Sequence, residues 1–284
     1  MSTLLSVEHV TRTFTRGGIL SHTLFRAVDD VSFDLDADKP EIFAIIGESG
    51  SGKTTLARMI LNIQPVSAGT IRFRDKAVTG IRRRSERVEF MRHVQPIFQN
   101  PFEAFNPLKK VDRYLYASAY RFTGARSQSA REMKADEALR KVGLSIAEVK
   151  GRFPHELSGG QLQRVAIARA LISGPNLLIA DEPVSMVDAS LRMSIVNLFK
   201  TLRDDFKVSI VYITHDLATA YYISDRVMIM QKGKVVEAGA VQDVLAHPQH
   251  AYTKLLRDSV LSPDDAGTGR LLAAPHLSTD EHVV

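Results

Sequence analysis

Cysteine is absent from all 284 residues. Its absence excludes structural disulfides, thiol nucleophiles and every cysteine-ligated zinc or iron–sulfur site. It fits a cytosolic protein without requiring one. Long hydrophobic runs are missing too. The longest are Ile42–Ile46 and Val208–Ile213, the second interrupted by Ser209. A membrane-spanning helix needs about 20 apolar residues, so none is read here. The start, MSTLLSVEHV, has neither a basic stretch nor an apolar core, so no secretory signal is read either. Internal repeats and low-complexity tracts are also lacking. Any membrane role must then come through a partner.

What is present is ordinary in bulk. Hydrophobic residues make up 44% and charged residues 24%, as in globular domains. At about 100–200 residues per domain, the length suits one large domain or two small ones. The net charge of +5 is unevenly placed. Residues 71–92 hold eight basic side chains (Arg72, Arg74, Lys76, Arg82, Arg83, Arg84, Arg87 and Arg92) against three acids, a surplus equal to that of the whole chain. Such a cluster can attract nucleic acid, anionic lipid or an acidic partner. It reads first as a solvated helix face.

Periodicity divides the chain in three. Leu5, Val7, His9 and Thr11 alternate imperfectly with Ser6, Glu8, Val10 and Arg12, and Val31, Phe33 and Leu35 alternate cleanly, so the first third reads as strands around a Gly17-Gly18 turn. Glu41–Ile46 is almost wholly apolar, as a strand covered on both faces must be. Residues 108–160 are charged and Ala-rich, with Ala130–Val142 at helical spacing, and predict a helical insert. Strand patterns return at Asn176–Ala180 and Val208–Thr214, with helices predicted over Leu191–Leu202 and Leu217–Ile223 and a hairpin turning at Lys232-Gly233. Alternating strands and helices with apolar strands argue an α/β domain with a parallel sheet. Residues 263–284 predict a loose tail.

Gly47-Glu48-Ser49-Gly50-Ser51-Gly52-Lys53-Thr54, followed by Thr55, matches the phosphate-binding pattern GxxxxGK[ST]. It stands where the chemistry needs it, between the strand 41–46 and a helix starting near Gly52. Glycines let the backbone turn its N–H groups inward on phosphate oxygens, and the helix end adds positive potential. Lys53 can reach the β- and γ-phosphates, and the Thr54 hydroxyl can ligate magnesium. A metal-holding carboxylate is then needed at a neighbouring strand end. Leu177–Glu182 supplies two, with Asp181 to hold the ion and Glu182 to polarise the attacking water. Leu157-Ser158-Gly159-Gly160-Gln161 opens a further helix over 161–172, with Ser158 as N-cap. It is either a second anion cradle or a plain capped helix.

Taken together, Gly47–Thr54, Gln99, Leu157–Gln161, Leu178–Glu182, Asp188 and His215 resemble, in order, the motif series of an ABC-transporter ATP-binding subunit, over about residues 4–260. The resemblance implies a P-loop core with a parallel sheet, an N-terminal antiparallel β-subdomain and a helical insert over about 100–165. The ATPase domain would span 1–262. ATP and Mg²⁺ are the implied cofactors. Phe14 resembles the aromatic that stacks on adenine. Gln99 resembles the glutamine that touches Mg²⁺ and water, and His215 the histidine that contacts the γ-phosphate. Ser158, Gly159, Gly160 and Gln161 resemble the signature that binds ATP held by the P-loop of a second subunit. The active unit would be a head-to-tail pair, identical or paralogous.

Other stretches resemble the oligopeptide/dipeptide/nickel importer branch. They are Arg16–Phe25, Asn100–Pro107, Phe153–Glu156 and, within a C-terminal motif over about 241–260, His247–Thr253. Departures are Val184 and Met186 in the loop after Glu182, Leu162 where a basic residue is common, and Ala251 in place of proline. The implied function is ATP-driven import of peptides or a related solute. Two transmembrane permease subunits and an extracytoplasmic solute-binding protein would be partners, with the chain at the cytoplasmic face of the inner membrane. No nucleic-acid partner is expected. The rival reading is a soluble ABC ATPase acting on nucleic acid or ribosomes, supported by residues 71–92 alone.

Overall fold

The computed structural model describes residues 2–16 and 23–259. The anticipated Gly17-Gly18 turn and the tail 263–284 lie outside them. In chain order the strands are β1 (Thr3–Arg16), β2 (Thr23–Asp36), β3 (Ile42–Ile46), β4 (Ala68–Phe73), β5 (Lys76–Ala77), β6 (Val94–Ile97), β7 (Leu177–Asp181), β8 (Ser209–Thr214), β9 (Arg226–Gln231) and β10 (Lys234–Ala240). An antiparallel sheet runs β2-β1-β4-β5, and a second sheet runs β10-β9-β3-β8-β7-β6. In the second sheet β9, β3, β8, β7 and β6 are parallel and β10 pairs antiparallel at the edge. The Lys232-Gly233 turn joins β9 to β10 as the sequence pattern anticipates.

The apolar strands explain their own placement. Along β7, Leu177 and Ile179 face one layer while Leu178 and Ala180 face the other, and all four are buried. A strand covered on both sides cannot alternate polar and apolar. Each large side chain buried this way contributes about 1.5–3 kcal/mol. One face packs on helix α1 (Lys53–Ile60) and on the antiparallel sheet, where Phe33 stacks on Phe43 at 4.8 Å. Helix α2 (Arg84–His93) adds only Phe90 to that core. The basic stretch is thus a hairpin followed by a helix, with Arg82, Arg83 and Arg84 exposed.

The helices between β6 and β7 form the insert. They are α3 (Val111–Thr123), α4 (Gln128–Lys141), α5 (Ile146–Val149) and α6 (Gly159–Leu171). Gly124 and Gly143 follow two of them at φ 75° and 73°, the left-handed geometry that ends helices. Ala135, Ala138 and Leu139 turn α4 inward. Within the insert, Arg169 of α6 donates to the Ala104 carbonyl at 2.8 Å and ties the segment after β6 to α6.

Helix α7 (Ala189–Asp204) buries Ile195, Leu198, Phe199 and Leu202. Leu191, in line with them at helical spacing, is 39% exposed and lies near Gly160 at the start of α6. In β1 the imperfect alternation has a physical cause. The register against β2 shifts between Val7 and Val10, His9 takes φ 48°, and Val10 is buried in place of His9. A bulge therefore restores the inward face. The last helices among the described residues are α8 (Leu217–Ile223), α9 (Val241–Ala246) and α10 (Ala251–Asp258).

Candidate functional site

Sheet order decides where the chemistry-bearing residues meet. The strands β3, β8, β7 and β6 are consecutive neighbours and run parallel. Their C-terminal ends lead into Gly47, His215, Glu182 and Gln99 respectively. Four segments far apart in sequence thus open on one edge of the sheet, where open α/β folds bind ligands.

The loop Gly47–Thr54 is shaped by its glycines. Gly50 and Gly52 adopt φ 83° and 106°. A methyl group at Gly47 would lie 2.2 Å from the Met230 carbonyl oxygen, and one at Gly52 would lie 2.2 Å from that of Ala27. Only glycine lets the loop pass between β9 and β2. The hairpin turn braces it, since the Gly233 N–H donates to the Ser51 carbonyl at 3.0 Å. Lys53 is buried, and its Nζ donates to the carbonyls of Gly47 at 2.7 Å and Glu48 at 2.8 Å. Burial pushes the Lys53 pKa down, against the pull of Glu182, Asp181 and Glu48. Thr54 is exposed, and its hydroxyl donates to Asp181 Oδ1 at 3.3 Å; Thr55 is half-buried.

Glu182 is the hub of the opposite wall. Gln99 Nε2 donates to its Oε2 at 3.0 Å, and His215 Nδ1 lies 3.2 Å from its Oε1. Its backbone is strained at φ 46°, a conformation that costs a side-chain-bearing residue about 1–2 kcal/mol. The Glu182 N–H donates to the Ile213 carbonyl of β8 at 2.9 Å, and the Ser185 hydroxyl donates to the Glu182 carbonyl at 3.0 Å. These bonds hold the strain. Asp181 sits one residue earlier on β7. Burial raises its carboxyl pKa, the Glu182 charge adds to this, and the Thr54 hydroxyl and Lys53 oppose it.

Ser158–Gln161 stands apart. Ser158 Oγ accepts from the Gln161 N–H at 3.2 Å, and Gln161 Oε1 accepts from the Ser158 N–H at 3.1 Å, a reciprocal cap. Among the described residues no hydrogen bond or ion pair joins this turn to Gly47–Thr54. Gly160 lies under the Leu191 side chain, where a methyl group would come 2.8 Å from Cδ1 and be accommodated by a shift of that exposed side chain. Leu162 is fully buried, which accounts for an apolar residue where a basic one is common. Gln163, also buried, donates to the Pro183 carbonyl at 2.8 Å and ties α6 to the loop after Glu182. In that loop Val184 is buried, whereas Met186 is exposed. Phe14 lies on β1 in the antiparallel sheet, opposite Phe25, half-exposed, with the Arg12 guanidinium 4.6 Å from its ring centre.

The family model described as ABC transporter matches residues 28–185. The chain belongs to the ABC transporter family. It is 38% identical over 240 residues to the oligopeptide transport ATP-binding protein OppF of Streptococcus pyogenes serotype M1, covering 84% of this chain and 77% of that protein. It is 37% identical over 258 residues to the di/tripeptide transport ATP-binding protein DppF of Pseudomonas aeruginosa strain UCBPP-PA14, covering 90% and 78%. A solved dimeric ATP-binding cassette, in a post-hydrolysis state with ADP and Pi, matches with a TM-score of 0.73 and 26% identity over 84% of this chain and 98% of that one. This ABC cassette is an ATP-binding ATPase.

The donors available for a metal in the cassette are hard oxygens, the Thr54 hydroxyl and the Asp181 carboxylate. That set suits magnesium. Among the described residues no three His, Asp or Glu side chains form a cage, so an ion held here would need phosphate and water for its remaining ligands. No helix among the described residues is long and apolar enough to cross a membrane. Sequence reasoning missed the Ser185 hydroxyl, the Gln163 tie and the Tyr252 hydroxyl, which accepts from the Glu48 N–H at 2.8 Å. None has a local signal. Tyr252 meets Glu48 across 204 residues of chain.

Proposed function

We propose that this ATPase energises a multi-subunit importer of peptides or a related solute. The convergence of Lys53, Asp181, Glu182, His215 and Gln99 on the edge beyond β3, β8, β7 and β6 carries the ATPase part. The names of the curated relatives carry the peptide part.

The roles follow from chemistry. The loop 47–54 and the end of α1 wrap the phosphates, with Lys53 leaving its carbonyls for the β/γ-phosphates and Thr55 adding a hydroxyl. Thr54 and Asp181 would hold Mg²⁺, directly or through water, with Gln99 at hand. Held there, the ion would neutralise charge on the phosphates. Glu182 takes the proton as water attacks the γ-phosphorus, the bond to the β-phosphate oxygen breaks, and ADP and phosphate leave. His215 orients Glu182 and contacts the γ-phosphate. Phe14 stacks on the adenine. Ser158–Gln161 completes the site of a second ATPase subunit arranged head to tail. One ABC domain spans 1–262, with a peptide-importer motif over about 241–260. The chain is peripheral at the cytoplasmic face of the inner membrane, held there by two permease subunits and fed by an extracytoplasmic solute-binding protein.

Reconstitution tests this reading. Reconstituted with partner permeases and a solute-binding protein, the chain should hydrolyse ATP faster when peptide-loaded binding protein is added. Hydrolysis that ignores peptide but responds to RNA or ribosomes would favour the rival reading instead.

A further inference from the structure

The peptide unit between Gly47 and Glu48 is gripped from both sides. Its carbonyl accepts from Lys53 Nζ at 2.7 Å, and its N–H donates to the Tyr252 hydroxyl at 2.8 Å. The first grip belongs to the phosphate loop. The second comes from α10, at the far end of the described chain.

Tyr252 is itself firmly placed. Its ring is buried at 8% exposure, in a cluster with Ala44 and Ile46 of β3, Leu217 and Val241. His250 caps α10, its Nδ1 accepting from the Tyr252 N–H at 3.1 Å. The Glu237 carboxylate on β10 accepts from the N–H groups of Gln249 at 2.9 Å and His250 at 3.1 Å. The segment 249–252 is thereby clamped to the sheet edge. Burial pushes the Tyr252 hydroxyl pKa upward, so the group stays a neutral phenol.

We propose that Tyr252 is a positioning residue for ATP binding: its hydroxyl sets the tilt of the Gly47–Glu48 peptide and so the place from which Lys53 reaches the phosphates. The inference rests on the phosphate-loop reading above. Without the hydroxyl, the Glu48 N–H loses its acceptor and the peptide is free to rotate. Lys53 then starts from a less defined position, and the phosphate cradle must be ordered at ATP's expense. The motif His247–Thr253 thus acquires a task inside the nucleotide site, beyond packing the C-terminus.

Tyr252→Phe in the full chain tests this, since it keeps the ring and removes only the hydroxyl. Titration with a fluorescent ATP analogue should show Kd raised about 2- to 10-fold, the size of one lost hydrogen bond. KM for ATP should rise with it while kcat moves less than twofold. Hydrogen exchange at the Glu48 amide should quicken, with the β3 amides unchanged. Unchanged Kd and unchanged Glu48 exchange overturn the proposal. So does a fall in melting temperature and kcat with Kd unchanged, which marks plain packing. If wild-type protein fails to bind the analogue, the phosphate-loop reading itself fails, and that outcome is distinct from equal binding by both proteins.

Discussion

Two glycine-bearing loops in this chain each open a helix, and they differ in what stands behind them. At Gly47–Thr54 the helix end is backed by a buried ammonium and, across the edge, by Asp181, Glu182, Gln99 and His215. At Ser158–Gln161 the turn closes on itself through its reciprocal cap. A phosphate at the first loop meets metal ligands and a base from the same chain. A phosphate at the second meets N–H groups and a hydroxyl only. The lesson is chemical. On the function proposed above, the first loop would bind and react, whereas the second would bind but need reactive groups from elsewhere, which a head-to-tail pair would supply.

The sharpest way to break this contrast is Glu182→Gln. If the reactive groups belong to the first loop, phosphate release should slow by about 10²- to 10⁴-fold, the usual worth of a positioned base. ATP binding should survive, and ATP should hold a tighter dimer on gel filtration. Persisting hydrolysis would move the base elsewhere. Lys53→Ala should act on binding instead. Losing a charge-assisted contact to phosphate costs about 1.5–3 kcal/mol, or roughly 10- to 150-fold in Kd, read by nucleotide titration.

Ser158→Arg tests the other side. The added cation would block the second loop without touching the first. Hydrolysis should fall about tenfold or more, the worth of one or two bonds to charged oxygens, while monomeric ATP binding stays within about twofold. Mixing Ser158→Arg with Lys53→Ala protein should recover activity if identical chains pair, because one composite site then carries both lesions and the other neither. Normal hydrolysis by Ser158→Arg alone would show that the second loop completes no neighbour's site.

The first loop was legible because its signal is local: eight consecutive residues between a strand and a helix. The acid pair was legible as a strand end, but its meeting with Gln99 and His215 depends on the neighbour order of β8, β7 and β6, which no window of sequence contains. Helices α4 and α8 followed from periodicity. The pattern erred at two positions. Leu191 has the spacing of a core residue yet lies exposed over Gly160, and His9 yields its inward place to Val10 at a bulge. Left-handed backbone at Glu182 had no signal at all, because it is imposed by bonds to Ile213 and Ser185.

Asp181, across the edge from the first loop, separates binding from stability. Its folded-state pKa is raised, chiefly by burial. A raised carboxyl favours the folded chain fully below the ordinary aspartate range, and that advantage is lost as pH rises through the folded value. At neutral pH the nucleotide-free protein therefore carries an unfavourable charge. Asp181→Asn should melt at a higher temperature than wild type at neutral pH, with the gap closing in acid. The same variant should lose Mg²⁺-dependent hydrolysis. A lower melting temperature at neutral pH would mean that the Thr54 bond outweighs burial.

The smallest effect is expected at the basic stretch, which tests whether charge alone makes an anion site in this chain. Arg82, Arg83 and Arg84 lead into α2, are exposed, and provide no side-chain cap to the helix start. They have density of charge but neither the glycines nor the enclosing strand ends that shape Gly47–Thr54. Exposed substitutions of this kind usually shift stability by no more than about 0.5 kcal/mol. Changing all three to glutamine should leave phosphate release within twofold and the melting temperature nearly unchanged. RNA filter binding across a salt series is the decisive companion measurement, because contacts to phosphates weaken steeply with salt. Tight, salt-sensitive RNA binding that disappears in the triple variant would make charge, not loop geometry, the basis of a third anion site and would revive the nucleic-acid reading. Weak binding, equal in both proteins, leaves these arginines as a solvated surface and confines anion recognition to the two glycine loops.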